Sequence, residues 1–433
     1  MAHDTFEEVE IPVRRFEGFP KPALLACLAM LVVGAVAFVA ALMGDPDRAW
    51  RAYLFNWLYF GTIAQGGVML AVAVVLARGL WARPVRRIAL GFVAFLPIWY
   101  VMLFPLLLQS ERIFHWYHEE LHGAKATYLN IPFLATRNIV LLAALLGLSL
   151  LFAYWALRPD AGMLRDEATG KLKALYERLS RGWLGQQAEE ERAYRRLQVI
   201  GPILALTWAF AFSVVAFDFV QSQDPHWFST LIGPYFFMAG FLGGISATIL
   251  FTIAYRKSLG LDSVIRTQQF HDLGKLQFAF CVFWAYLFWS QYLVIWYGQI
   301  PWEQAFFVAR LGEPYGGLAL TVLLFIFVFP FFGLLGATPK KRPPILATFA
   351  ALVLLGLWLE RYLLIYPSFY QGETAPLGWQ EVGTGLAFAG LFIGAAVLFA
   401  TRFPVVQLWQ PATEEALMLS TEEPPGTEAV TGD

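Results

Sequence analysis

Ten separate runs of predominantly apolar residues restrict this chain more than any other feature: 22–43, 53–77, 86–108, 131–157, 200–222, 228–255, 273–297, 315–337, 345–366 and 378–401. About 20 such residues at 1.5 Å rise cross a hydrocarbon core of about 30 Å. In lipid the backbone groups find partners only within their own segment, so each run is expected to be a helix. Hydrophobic residues make up 58% of the 433-residue chain and charged ones 15%, spread along its whole length, which excludes a soluble domain on one anchor. The spacing therefore predicts an all-α membrane protein of about ten spans. Spans two to five and six to nine are of a number to form two four-helix bundles, with spans one and ten flanking them. The first run has no small-residue cleavage site after it and is too long for a signal-peptide core, so it reads as a retained helix.

Lysine and arginine give the orientation. Arg14, Arg15 and Lys21 of the first tail, Arg83, Arg86 and Arg87, Arg256 and Lys257, Lys340, Lys341 and Arg342, and the basic stretch 158–199 all fall on one side. The other side holds only Arg48, Arg51, Arg112, Lys125 and Arg310. The positive-inside rule then expects a multi-pass protein of a bacterial cytoplasmic membrane with both termini in the cytoplasm. On this reading 1–21 is a cytoplasmic tail and 22–401 the transmembrane domain. Residues 109–130 form a periplasmic loop rich in aromatics and histidine. Residues 158–199 alternate charge with Leu172, Leu175, Tyr176 and Leu179, as an amphipathic cytoplasmic helix or helical hairpin would. The stretch 402–433 is an acidic tail, expected to be disordered from Gln410 onward. Gly240, Gly243 and Gly244 in span six suit close helix packing.

A net charge of -1 argues against a nucleic-acid partner. Cys27 and Cys281 are the only cysteines, so there is no CxxC pair, haem-attachment motif or iron–sulfur spacing. No pair of histidines lies within the spans to hold a b-type haem, and there is no Walker motif. No covalently bound cofactor is expected; if the chain takes part in redox chemistry, the metal centres belong to something else.

Ionisable groups inside a span cost about 2.5–3.5 kcal/mol each on insertion scales, so each is a functional hypothesis. At the outer level lie Arg137 in span four, Asp218 and Gln221 in span five, Ser290, Gln291 and Tyr292 in span seven, and Glu360 and Arg361 in span nine. Two acids and two bases at one depth suggest pairing. They read either as structural ion pairs or as a quinone-headgroup pocket or the outer end of a proton path. An inner group, Asp262, Arg266, His271, Asp272 and Lys275, lies at the mouth of span seven, where His and Asp can cap a helix or relay protons. Tyr286, Thr248, Thr252, Ser246 and Gln65 lie between the two levels.

His118-Glu119-Glu120-Leu121-His122 fits H-E-x-x-H, the zinc-protease signature of two histidines one helical turn apart with a glutamate base. It falls in a polar loop, whereas an intramembrane protease should carry its ligands within spans. His115, His118 and His122 would alternatively line one face of a short interfacial helix with Trp116 and Tyr117.

The run K-A-T-Y-L-N at Lys125–Asn130, followed by Pro132, Phe133 and Arg137, resembles the K-A-x-Y-L-N-x-x-F-x-x-R stretch of the ActF subunit of alternative complex III. So does 269–297, reading Q-F-H-D-L-G-K-L-Q-F-A-F-C-V-F-W-A-Y-L-F-W-S-Q-Y-L-V-I-W-Y, and the resemblance extends over most of spans two to nine. It implies a membrane subunit of a quinol:cytochrome c oxidoreductase, similar in fold to NrfD or polysulfide-reductase membrane subunits. The implied partners are an ActC-like membrane subunit of the same fold, an iron–sulfur subunit, c-type cytochrome subunits and a terminal oxidase, in a lipid bilayer. The chain itself would supply scaffold and a proton path or quinone contact.

Two other classes compete. A secondary transporter should show broken helices at matching positions in its two halves. Pro330 of span eight and Pro97 and Pro105 of span three do not correspond in this way. The membrane metalloprotease would have to use His118, Glu119 and His122.

Overall fold

The computed structural model describes residues 12–409 and contains ten helical spans long and apolar enough to cross a bilayer. They are Lys21–Gly44, Pro46–Leu76, Leu80–Leu108, Ile131–Leu164, Gln186–Gln223, Ile232–Leu259, Thr267–Gly298, Gly316–Gly333, Pro343–Ser368 and Trp379–Arg402. Each overlaps one of the ten apolar runs, and among the described residues there is no β-strand. Spans two to five pack as one four-helix bundle and spans six to nine as a second, while spans one and ten pack on each other and against span two.

Spans two and six form the seam between the bundles. Almost every residue of span two between Ala52 and Leu70 is buried, as expected of a helix surrounded by other helices. Glycine permits the close crossing. A Cβ on Gly66 would meet the Gly240 carbonyl oxygen at 2.2 Å, and one on Gly244 would meet backbone atoms of Gly66 and Gly67 at 2.3 Å. Small residues serve the flanking pair in the same way, Gly34 lying against Ala387 and Gly383 against Ala37.

Proline marks the irregular spans. Span three is broken into a 3-10 turn at Gly91–Phe95 and helices Leu96–Val101 and Leu103–Leu108, around Pro97 and Pro105. Span eight carries a π-turn over Leu324–Val328 just before Pro330. In both, a ring without an N–H removes one rung of the helix ladder and the neighbouring turns adjust.

Below, the end of the bundles carrying residues 109–130 is called the outer end and the one carrying 165–185 the inner end. The polar connection 158–199 is shorter than the sequence suggests. Span four runs on to Leu164 and span five begins at Gln186, leaving Gly170–Leu179 as the separate helix. The extension is possible because its charges are paired. Arg158 Nε lies 2.6 Å from Glu189 Oε2, joining spans four and five, and Arg87 pairs with Asp160, joining spans three and four. All four side chains are buried. The stretch after span ten also packs, up to the last described residue: Trp409 Nε1 donates to the Ala156 carbonyl at 3.0 Å, and Arg86 Nε to Gln407 Oε1 at 2.7 Å. The disorder expected from Gln410 onward lies outside the described residues.

Candidate functional site

The outer polar group divides into two clusters, one in each bundle. In the first, Asp218 is fully buried and its carboxylate accepts from Arg137 Nε at 2.7 Å, from Tyr128 OH at 3.0 Å, and from Arg137 Nη2 and Asn138 Nδ2. The Arg137 guanidinium carbon lies 3.8 Å from the centre of the Tyr128 ring and 4.7 Å from that of Phe133. Asn130 caps span four, its side chain accepting from the Phe133 amide at 2.9 Å. Lys125–Asn130 and the residues after it thus build one object, a capped helix start whose arginine is aimed at Asp218. Outside it, Gln221, Tyr128 and Lys125 line a surface cavity of about 490 Å³. Tyr128 lies outside the spans, and burial together with the Asp218 charge pushes its hydroxyl up to about 12.

In the second cluster, Glu360 and Arg361 are neighbours on span nine and both are buried. Glu360 Oε1 accepts from Trp284 Nε1 at 2.9 Å and its Oε2 from Arg361 Nη1 at 2.9 Å. Arg361 Nη2 donates to the Phe236 carbonyl at 2.9 Å, tying span nine to span six. Glu360 faces a cavity of about 380 Å³ between spans six to nine and the short helix Pro301–Leu311. Its walls are chiefly aromatic and aliphatic, with Tyr235, Gln291 and Arg310 as further polar groups. That is the form of a small-molecule site, within the usual range of about 300–1,000 Å³.

Span seven explains why Gln291 is inside. Apart from Asp272, its buried positions, Phe270, Leu273, Gly274, Gln277, Cys281, Trp284, Leu287, Gln291 and Ile295, recur mostly at three- and four-residue steps and form one stripe. Tyr286 falls off that stripe and is 60% exposed, so it points outward and cannot join the two levels through the bundle interior. Gln65 is committed to the first bundle, where its Nε2 donates to Ser149 Oγ at 3.0 Å. Deep in the second bundle, Gln277, Ser246 and Thr252 are buried with side-chain polar atoms that meet no partner among the described residues. Such atoms call for water.

The inner group is only partly assembled. Asp272 is buried and pairs with Lys275 one turn on, and it also accepts from Gln268 Nε2 at 2.8 Å. Asp262 pairs with Arg256 at 2.9 Å instead. Arg266 is the N-cap residue of span seven, its amide donating to Gln269 Oε1 at 2.8 Å. His271 is half-buried beside Asp272.

The H-E-x-x-H residues do not lie together on one helix. His118 ends a 3-10 turn, His115–His118, and Glu119 to His122 lie outside any helix, so His118 and His122 share no helical face. The same geometry overturns the interfacial-helix reading of these histidines. Among the described residues no group of three His, Cys, Asp or Glu side chains is placed to hold a metal ion.

Arg310 was not among the residues singled out from the sequence, which places it with the loop cations. Helix Pro301–Leu311 turns Phe306, Phe307 and Arg310 inward, leaving Arg310 6% exposed. The guanidinium carbon lies 3.3 Å from the Phe306 ring centre, Nη2 donates to the Leu364 carbonyl at 3.0 Å and to Ser368 Oγ at 2.8 Å, and Nε has no partner among the described residues. Burial pulls its pKa down to about 9, against the opposing charges of Asp224 and Tyr315, so it remains a cation at neutral pH.

The polysulphide reductase NrfD family model matches residues 42–371. The chain belongs to this family. The match runs from the end of span one to just beyond span nine, so it covers both four-helix bundles and both polar clusters. Members of the family are integral membrane subunits of quinol-oxidising respiratory complexes and work with iron–sulfur and cytochrome subunits. No curated protein matches the chain.

Proposed function

We propose that this chain is the membrane subunit of a quinol:cytochrome c oxidoreductase of the alternative complex III kind, and that its second bundle contacts the quinone headgroup. The observation that carries the reading is the cavity beside Glu360, where a buried carboxylate meets aromatic walls and the hydrogen-bonding side chains of Gln291 and Tyr235. A quinol needs both: apolar surface for its ring, and acceptors for the protons its hydroxyls release. In this proposal the outer end is periplasmic, the membrane is the bacterial cytoplasmic membrane, and electrons leave to iron–sulfur and c-type haem centres on companion subunits, including an ActC-like one. A terminal oxidase is a further partner.

The remaining candidates take supporting roles. Glu360 with Arg361 accepts the proton. The Asp218–Arg137 cluster holds the outer end of the first bundle, and Gln221 lies on its surface cavity. His271, Asp272 and Lys275 form the cytoplasmic mouth of a path that water would complete past Gln277, Thr252 and Ser246. Lipid fills the outer faces of the bundles.

Purification of the tagged chain in mild detergent, with a haem difference spectrum and a quinol:cytochrome c reductase assay, tests this. The expected result is co-purifying c-type haem with quinol-dependent reduction, and a Glu360→Gln complex that assembles but loses about 10²- to 10⁴-fold in turnover, the range for losing a proton acceptor. A haem-free single subunit would remove the assignment, and a fully active Glu360→Gln complex would remove the role of the cavity.

A further inference from the structure

The cavity beside Glu360 is lined by a buried cation that has no carboxylate at ion-pair distance among the described residues. Buried arginines are normally held by carboxylates, because a guanidinium taken from water costs several kcal/mol. Arg361 and Arg158 follow that rule, with Glu360 and Glu189, and the partly buried Arg137 pairs with Asp218. Arg310 is also buried, yet among the described residues it forms no ion pair at contact distance and feels the longer-range attraction of Asp224. Its bonds go to two carbonyls and a hydroxyl, and Nε is buried with no acceptor. The Phe306 ring beneath it is stacked in turn on Trp227, at 3.6 Å between centres, so the guanidinium is fixed in place. A pre-positioned cation with no ion-paired carboxylate among the described residues, on the wall of a mostly apolar cavity, is arranged for a ligand that brings negative charge.

We propose that Arg310 is the anion-recognising residue of this cavity, selecting the deprotonated oxygen of a quinol-type ring. This rests on the reading that the cavity takes the quinone headgroup. The division of work follows from the charges. Glu360 is already paired with Arg361, so the acid and the Arg310 cation are separate groups lining one cavity. One serves an oxygen that still carries its proton, the other an oxygen that has lost it. Arg310 is here a binding and positioning residue rather than a catalytic one.

The experiment uses the purified complex and two probes: heptyl-hydroxyquinoline N-oxide, a fluorescent quinol analogue with an anionic oxygen, and a neutral short-chain decyl-quinone as competitor. Arg310→Gln should weaken the anionic probe about 10- to 100-fold, the range for one charge-assisted hydrogen bond, and the neutral quinone less than about threefold. Arg310→Lys should recover part of the anionic binding. Ala319→Trp, on the cavity wall, should abolish binding of both. Equal weakening of both probes by Arg310→Gln, or none, overturns the inference while leaving the cavity reading intact. Binding that survives Ala319→Trp shows that the cavity is not the site and removes the underlying reading. If Arg310→Gln fails to assemble, the wild-type complex decides: it should prefer the anionic probe to the neutral one by more than tenfold, and equal affinity counts against Arg310. Displacement of the probe by phosphatidylglycerol but not by decyl-quinone would identify a lipid phosphate as the ligand and overturn the assignment to a quinol.

Discussion

Replacing Asp218 by asparagine tests whether the first cluster is held by charge. The carboxylate is fully buried and receives donors from Arg137, Asn138 and Tyr128. Asparagine preserves the shape but removes the charge, and it turns an NH₂ toward groups that are themselves donors. Removing one member of a buried ion pair costs about 3–5 kcal/mol, because the partner stays behind uncompensated. Two features place the cost at the lower end. Arg137 retains 10% side-chain exposure, which gives water some access, and it keeps the faces of the Tyr128 and Phe133 rings. We expect a loss of about 3 kcal/mol, read as a lower unfolding midpoint in detergent titrated with dodecyl sulfate. Arg137→Gln combined with Asp218→Asn should be less damaging than the sum of the two, with a coupling of about 2 kcal/mol. An Asp218→Asn protein within about 0.5 kcal/mol of wild type would mean that the pair does not hold the bundle, and the reasoning from burial would fail.

Gly244→Val should abolish accumulation of folded protein, since its Cβ would fall 2.3 Å from the backbone of Gly66 and Gly67 and neither helix can yield; membrane yield and gel filtration check this. Glu119→Gln should leave quinol oxidation and stability unchanged, because Glu119 lies outside any helix and is exposed, its carboxylate 3.5 Å from His115; a large loss of activity would reopen the metal reading.

How much could be read from the sequence follows from geometry. The spans were legible because hydropathy is a one-dimensional signal and the bilayer sets its length. Asp218, Arg137, Glu360 and Arg361 were legible as costly groups at one depth. That they form two separate clusters was not, because depth fixes position along the helix and says nothing of its direction around the axis. Span seven is a partial exception: its three- and four-residue stripe from Phe270 to Ile295 points Tyr286 outward and could have been counted. The pairs Arg158–Glu189 and Arg87–Asp160 were hidden because charges next to apolar runs read as the ends of spans. Pairing lets the helices continue through them. Arg310 was hidden for the opposite reason, since Pro301–Leu311 is too short to be a span and its cation was counted with the loop. The spacing of Phe306, Phe307 and Arg310 was the available signal.

The central claim is that the cavity beside Glu360 takes a quinone headgroup. The most direct measurement is photolabelling of the assembled complex with an azido-quinone, followed by mass spectrometry of the labelled peptides. The account predicts label on the outer half of span seven around Gln291 and on the helix Pro301–Leu311, suppressed by excess quinol and absent from the Ala319→Trp protein. Saturable label confined to other subunits, or to the first bundle around Gln221, would contradict it.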